Sequence, residues 1–419
     1  GLKPEIFKVG DFKSYVEPYL RTDMSEADRK QTSAYLNSIY DFYLSQVSES
    51  RNIPQDSLRS LSDNARVDTP NDAVKFGLID GAIYEDSVFS LVREALEIEA
   101  DDKINFITYG KYQNAPKTVT KKYSKTKVAV VFGEGAIGSG KSKQGESIGS
   151  ETIVSELRKA RKDENVKAIV LRINSPGGSA LASDEMWREV QMVKKSGKPI
   201  IASMSNVAAS GGYYMAMGCD RIVAQPNTIT GSIGIFAILM DASYALEDNL
   251  GLTFDRVNTG QLSDLGSPTK AFSDLEKATL QRFIENGYDD FTKKAAKGRG
   301  MTQDDLKKIA SGRVWTGDQA LENGLIDEFG DLDHAITLAA EAAELGEDYS
   351  VSYRPKVKGV LEELLGGGFA QAQAEKEIKA QLGPLAPYWQ EIKTISEMQG
   401  LQARLPYEIR IVSKMRVQK

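Results

Sequence analysis

The chain has 419 residues, 41% apolar and 27% charged, which is ordinary for a folded globular protein and long enough for two or three domains of roughly 150 residues. These proportions exclude a wholly disordered, collagen-like or coiled-coil chain, and a net charge of −6 leaves no overall basic field for nucleic acid. No apolar run reaches the roughly 18 residues of a membrane-spanning helix; the one cysteine, Cys219, and the one histidine, His334, exclude an intrachain disulfide and a multi-histidine metal centre, and any Ser-His-Asp triad must use His334.

The chain begins Gly-Leu-Lys, with neither Met nor a signal peptide, and reads as cut from something longer. Its first stretch resembles a later one. Gly10-Asp-Phe-Lys13 through Pro18 aligns with Gly260-Gln-Leu-Ser263 through Pro268, and Ser25-Glu-Ala-Asp with Ser273-Asp-Leu-Glu. Tyr40-Asp41 aligns with Tyr288-Asp289, Ile53–Leu58 with Met301–Leu306, and Gly77-Leu-Ile-Asp80 with Gly324-Leu-Ile-Asp327. The order is kept at an offset of 247 to 250, which chance does not produce five times. Only the second copy is preceded by a further block, Val128–Leu250. The expectation is a tandem repeat whose first copy lacks its front. Residues 1–105 form the rest of that copy, 106–127 a Lys-rich linker, 128–345 the second copy, and 346–419 a C-terminal extension.

Inside the block, Val128–Phe132 is a β-branched apolar run and predicts a strand. Ser150 caps a helix through Ile153, Leu157 and Ala160. Val166–Ile173 predicts a second strand, ended by Asn-Ser-Pro-Gly-Gly. Ser183 starts a helix that ends near Lys195-Ser-Gly197. Pro199–Ser203 predicts a third strand, Ser210–Met217 a short helix, and Arg221–Ala224 a fourth strand. Strands alternating with helices predict an α/β fold with parallel strands. Beyond residue 346 the pattern loosens and the end turns basic (Arg404, Arg410, Lys414, Arg416, Lys419), which reads as a surface extension or assembly arm, with contact to a membrane surface as the alternative.

Gly135–Ser142 fits the P-loop expression letter for letter and follows a strand. That mechanism needs a helix starting at Lys141-Ser142, so that its amides face the phosphates. Two more glycines follow instead, and the segment reads as a mobile surface loop. Asn174-Ser-Pro-Gly-Gly-Ser179 is different, because paired glycines at a strand end let backbone amides approach an anion. Ala208-Ala-Ser210-Gly-Gly-Tyr-Tyr214 follows the next strand and opens a helix, where a serine is either a cap or a nucleophile beside free amides. Two glycine turns after successive strands favour the second reading: one binds an oxyanion, the other carries the nucleophile. His334 reads as a helix-start residue, since Ser87 stands at its repeat counterpart. The base then falls to a lysine, which works only when burial keeps it neutral. The repeat singles out Lys13, which faces Ser263 in the second copy and would complete a site split across the copies; spacing alone favours the alternative, a solvated surface lysine.

These segments together resemble signal peptide peptidase A, in the long tandem-repeat bacterial form. The residues that carry the likeness are Asn174–Ser179, Ala208–Tyr214, Thr228-Ile-Thr-Gly-Ser-Ile-Gly234, Phe12-Lys-Ser-Tyr-Val-Glu-Pro18, Val314-Trp-Thr-Gly317 and both Gly-Leu-Ile-Asp segments. The likeness covers nearly all of residues 1–345. It implies a ClpP/crotonase fold of repeated ββα units and a Ser/Lys-dyad protease without cofactor or metal. Ser210 would be the nucleophile, Lys13 the general base and Ser232 the residue that orients the lysine. The amides of Gly178 and Gly211 would form the oxyanion hole. Short members of the family keep lysine and serine in one repeat, which Ser263 excludes here. The likeness further implies peptide substrates, remnant signal peptides among them, and a ring-like, tetrameric homo-oligomer. It places the protein at the bacterial inner membrane with its catalytic part facing the periplasm, held by an anchor outside this sequence. Two other classes compete: a crotonase-type acyl-CoA enzyme, recognisable by saturable CoA-thioester binding, and a non-catalytic assembly domain.

Overall fold

The computed structural model describes residues 2–113, 124–143, 145–355 and 401–404. The chain divides into two compact units, one of Gly1–Ser38 with Tyr123–Lys419 and one of Ile39–Lys122.

The first unit is built on two sheets. Its strands are β1 (Lys3–Lys8), β2 (Lys127–Glu134), β3 (Ala136–Gly138), β4 (Ser147–Gly149), β5 (Val166–Ser175), β6 (Gly177–Ser179) and β7 (Ile200–Ala209). They continue with β8 (Arg221–Ala224), β9 (Ile229–Gly231), β10 (Phe236–Asp241), β11 (Val314–Thr316), β12 (Glu328–Phe329), β13 (Ser350–Arg354) and β14 (Gln402–Arg404). The larger sheet runs β11-β9-β7-β5-β2-β13, with β8 and β12 branching from β7. Its centre is parallel: β2 pairs β5, β5 pairs β7, and β13 pairs β2. Parallel pairing needs crossovers, here α6 (Ser150–Lys162) between β4 and β5 and α7 (Ala180–Lys195) between β6 and β7. The predicted α/β class with parallel strands is the observed one.

Both faces of that sheet are covered, so its strands read as continuous apolar runs rather than alternating ones. On one face Ala129, Val131, Ile169, Leu171 and Ile173 join Ile153 and Leu157 of α6 and Met186 and Val190 of α7. On the other, Val128, Val130, Ala168 and Val170 meet Ala335, Ile336, Ala339 and Ala340 of α12 (Leu332–Ala342). Each buried Val, Leu or Ile contributes roughly 1.5–3 kcal/mol. The smaller sheet runs β1-β10-β14-β6-β3-β4.

Helix α7 begins three residues earlier than the sequence predicts, because Ser179 rather than Ser183 is its cap and accepts from the Ala182 N–H. The P-loop-like stretch has no helix at Lys141-Ser142. Ser142 Oγ instead accepts from Gly149 N at 2.9 Å, and α6 starts only at Ser150. Nor is the stretch only a loop, since β3 pairs both β4 and β6. The extension that begins at 346 gives β13 to the larger sheet and β14 to the smaller, a role that its loose pattern hides. Arg404 is buried; Arg410, Lys414, Arg416 and Lys419 lie outside the described residues, as does linker segment 114–123.

Helix α1 (Glu26–Arg51) enters the second unit, which continues with α2 (Gln55–Asp63), α3 (Pro70–Lys75), α4 (Glu85–Ala95) and α5 (Tyr109–Gln113). Thr69 and Asp72 form a capping box at α3, with Pro70 at the first helical position. The repeat is visible element by element. α9 (Asp274–Arg299), α10 (Gln303–Ile309), α11 (Gly317–Glu322) and α12 follow α1, α2, α3 and α4 in order, with starts 247 or 248 residues later.

Candidate active site

Lys13 lies five residues past β1, which pairs antiparallel with β10 from Lys3↔Asp241 to Lys8↔Phe236. A 3-10 turn, Ser14–Tyr19, follows it. A buried polar network fixes this turn. Gln31 Nε2 donates to Phe12 O at 3.0 Å, to Ser14 Oγ at 2.9 Å and to Asp28 Oδ1 at 2.9 Å. Ser14 Oγ donates to Asp28 Oδ1 at 2.6 Å, and Gln31 Oε1 accepts from Val314 N at 3.2 Å. One amide thus ties the lysine turn to β11. Glycine completes the fit: Gly312 has φ +80°, and a Cβ there would stand 2.8 Å from Lys13 Cβ. Only glycine combines that backbone with that approach.

Ser210 follows β7 at φ 55°, ψ −112°, a strained conformation for a serine, and leads into α8 (Gly211–Ala216). Its N–H donates to Gly231 O at 2.8 Å, and its carbonyl accepts from Tyr214 N at 2.8 Å. Ser232 also has positive φ, 49°, and its N–H donates to Arg313 O at 2.7 Å. The pairing of β9 with β11 holds that turn, with Gly231 opposite Val314.

Lys13 Nζ meets both serines. It lies 2.9 Å from Ser210 Oγ, 3.0 Å from Ser232 Oγ and 3.2 Å from Ser232 O. Lys13, Ser210 and Ser232 are each fully buried. Burial pushes the lysine pKa well below its ordinary value. The amine therefore has three polar contacts, one to Ser210 and two to Ser232.

The two glycine turns touch. A Cβ on Gly177 would fall 2.7 Å from Gly211 N, so Gly178 and Gly211 sit on adjoining backbones. Both are buried. The structure thus brings Lys13, Ser210, Ser232, Gly178 and Gly211 into one region. His334 serves elsewhere. Its N–H donates to Asp331 Oδ1 at 2.8 Å, and its Nε2 lies 3.0 Å from Glu328 Oε2 in β12. With Arg221, it holds the Glu328 carboxyl below the usual carboxylate range. Burial raises the Cys219 thiol pKa, which leaves it inert. Among the described residues, no cluster of His, Cys, Asp or Glu is arranged to hold a metal.

Sequence reasoning missed Gln31, Gly312 and β14. A polar residue at a helical core position was the available signal for Gln31. Gly312 lies just before Val314-Trp-Thr-Gly317, a segment already noted. β14 lies between β10 and β6, with Ala403 opposite Gly178, and nothing local to its sequence announces it.

The model of Peptidase family S49 matches residues 1–99 and 192–346, more than half of the chain. The chain belongs to peptidase family S49. Protease 4 of Haemophilus influenzae is 37% identical to this S49 chain over 366 residues, which is 84% of this chain and 58% of that protein. The chloroplastic serine protease SPPA of Arabidopsis thaliana is 33% identical over 415 residues, 97% of this chain and 59% of that one. The S49 chain thus spans about three fifths of the length of these relatives. Among solved structures, a ClpP1 mutant from Listeria monocytogenes matches 49% of this chain and 94% of its own, at 14% identity and a TM-score of 0.34. Among the described residues, no helix is long and apolar enough to cross a membrane.

Proposed function

We propose that the chain is a serine peptidase that uses Ser210 as nucleophile and Lys13 as general base. The observation that carries this reading is the 2.9 Å contact between Lys13 Nζ and Ser210 Oγ in a fully buried setting. Ser232 orients the amine through its hydroxyl and carbonyl. Neutral Lys13 takes the Ser210 proton as Oγ attacks a peptide carbonyl. The amides of Gly178 and Gly211 stabilise the tetrahedral oxyanion, an effect worth about 10²–10³-fold for a single donor. Lys13 then protonates the leaving amine, and water releases the acyl-enzyme. Extended peptides are preferred, because a substrate in strand conformation gains affinity from main-chain hydrogen bonds.

The finer reading is that remnant signal peptides and other extended apolar peptides are cleaved at the outer face of a bacterial inner membrane, by a ring-like, tetrameric assembly. The names of the relatives support peptidase chemistry.

The test is labelling of Ser210 by a fluorophosphonate probe as a function of pH. Lys13 is inert as a base below its folded pKa, so labelling rises as pH climbs through that value. Lys13→Ala abolishes the rise. A pH-independent rate, or labelling that survives Lys13→Ala, overturns the dyad.

A further inference from the structure

We propose that Ser183 is a positioning residue for the reaction, a single buried hydroxyl that holds the Gly178 turn and the Gly211 turn together as one oxyanion site. The inference deepens the peptidase reading above and rests on it.

Ser183 lies one turn into α7, where the sequence pattern marks it as the start of that helix. The cap is Ser179, so the Ser183 hydroxyl has a different task. It donates to Ser179 O at 2.8 Å, four residues back. Serines inside helices often make that bond. This one differs in its second neighbour. A Cβ on Gly211 would stand 2.6 Å from Ser183 Oγ, so the hydroxyl oxygen fills the space that a side chain would take at the residue after Ser210. Ser183 is fully buried.

The two contacts fall on the two arms of the proposed oxyanion site. Ser179 directly follows Gly178, and Gly211 carries the other amide. The near side of the first turn is held as well, because Gly177 N donates to Ser175 Oγ at 3.1 Å and Ser175 is fully buried. Gly178 therefore sits between two residues whose backbones are tied to buried hydroxyls. Glycine needs such ties, since it has no side chain to limit its φ and ψ. Ser175 bonds to the first turn, whereas Ser183 bonds to that turn and packs against the second.

Oxyanion stabilisation depends on donors that stand in place before charge develops. The base is held by other atoms: Lys13 Nζ contacts Ser210 and Ser232, while Ser183 Oγ bonds to Ser179. Removing the Ser183 hydroxyl should therefore disturb the placement of the amides and spare the strength of the base.

The experiment compares the parent chain with Ser183→Ala and Ser183→Thr in three assays: peptide hydrolysis, fluorophosphonate labelling of Ser210 against pH, and inhibition by a peptidyl trifluoromethyl ketone. Ser210 Oγ adds to the ketone carbon of that inhibitor, and the former carbonyl oxygen takes the oxyanion position. Ser183→Ala is expected to lower kcat about 10-fold, short of the ~10²–10³-fold loss of a whole donor. KM stays near the parent value, because an interaction made only in the transition state acts on kcat. The ketone weakens by the same factor as kcat, and the pH midpoint of labelling stays in place. Ser183→Thr recovers most of the loss, since a threonine hydroxyl can bond to the carbonyl four residues back. An unchanged kcat in Ser183→Ala, a loss of kcat that spares the ketone, or a labelling midpoint that moves overturns the positioning role and leaves the peptidase reading standing. A Ser183→Thr chain as slow as Ser183→Ala does the same. A parent chain that neither labels at Ser210 nor hydrolyses peptides overturns both.

Discussion

The two repeat copies build the same helices and bury them differently. In the second copy, α9 sets Ile284, Tyr288, Phe291 and Ala295 into the core. The positions 248 residues earlier on α1 are Leu36, Tyr40, Tyr43 and Val47, where Leu36 is 54% and Tyr43 60% exposed. In the same way α12 buries Ala335, Ile336 and Ala339 against the larger sheet, while α4, with Val88, Phe89 and Val92 at those places, has no buried residue. The helical period is a local property and is kept in both copies. Burial comes from tertiary partners, and the second copy has the sheet to supply them.

The copies also differ chemically at one aligned place, where Lys13 stands against Ser263. Removing the lysine should have the largest effect. Lys13→Ala is expected to lower Ser210-dependent peptide hydrolysis by about 10²–10⁴-fold, the usual range for a general base. Restoring a lysine in the other copy should not help. Ser263 is exposed and holds its own turn, accepting from Gly260 N at 2.8 Å. Activity in the Lys13→Ala, Ser263→Lys double variant would break the comparison.

Burial gives the next contrast. Phe291→Ala should destabilise the first unit by about 3–5 kcal/mol, since it empties a fully buried site. Tyr43→Ala, at the aligned position, should stay within about 0.5 kcal/mol. Denaturant midpoints measure both, and similar losses would show that the first copy's helix face is covered after all.

Gly312→Ala probes the lysine cradle. Positive φ and a 2.8 Å approach to Lys13 together should cost about 1–3 kcal/mol. The lysine must shift to make room, so kcat should fall while KM stays near its starting value. An unchanged kcat would mean that the lysine position tolerates more slack than a general base allows.

The extent to which the sequence foretells this site depends on the range of each signal. Ser210, Gly178 and Gly211 lie in glycine turns at strand ends, a local signal readable in a few residues; Ser232 comes only with the family resemblance of Thr228–Gly234. Lys13 has no local signal; it was found because the repeat leaves Ser263 in its place. Gln31 acts through three separate stretches, the Phe12–Ser14 turn, Asp28 and Val314, so its role exists only once the chain is folded. β14 is the extreme case. Three residues pair with strands 160 to 230 positions away, and their composition carries no periodicity to betray them. β13 escaped notice for a milder reason: Ser350–Arg354 lies on the edge of the larger sheet, only partly buried, so its sequence lacks the apolar run of β2 beside it.

The smallest effect separates the two meanings of a buried lysine. Burial sets the folded pKa of Lys13 well below 10.5. Between that folded value and 10.5 the unfolded chain holds a proton that the folded chain lacks, so stability rises with pH by up to about 1.4 kcal/mol per unit. Below the folded value, and above 10.5, the slope from this group vanishes. Lys13→Met keeps the volume and removes the titration. It should be more stable than the parent near neutral pH, with an advantage that shrinks toward pH 10.5, while hydrolysis is lost. Parallel stability curves for parent and variant across that window would mean that Lys13 keeps its proton in the folded chain. The amine would then be a fixed charge beside Ser210 and not its base.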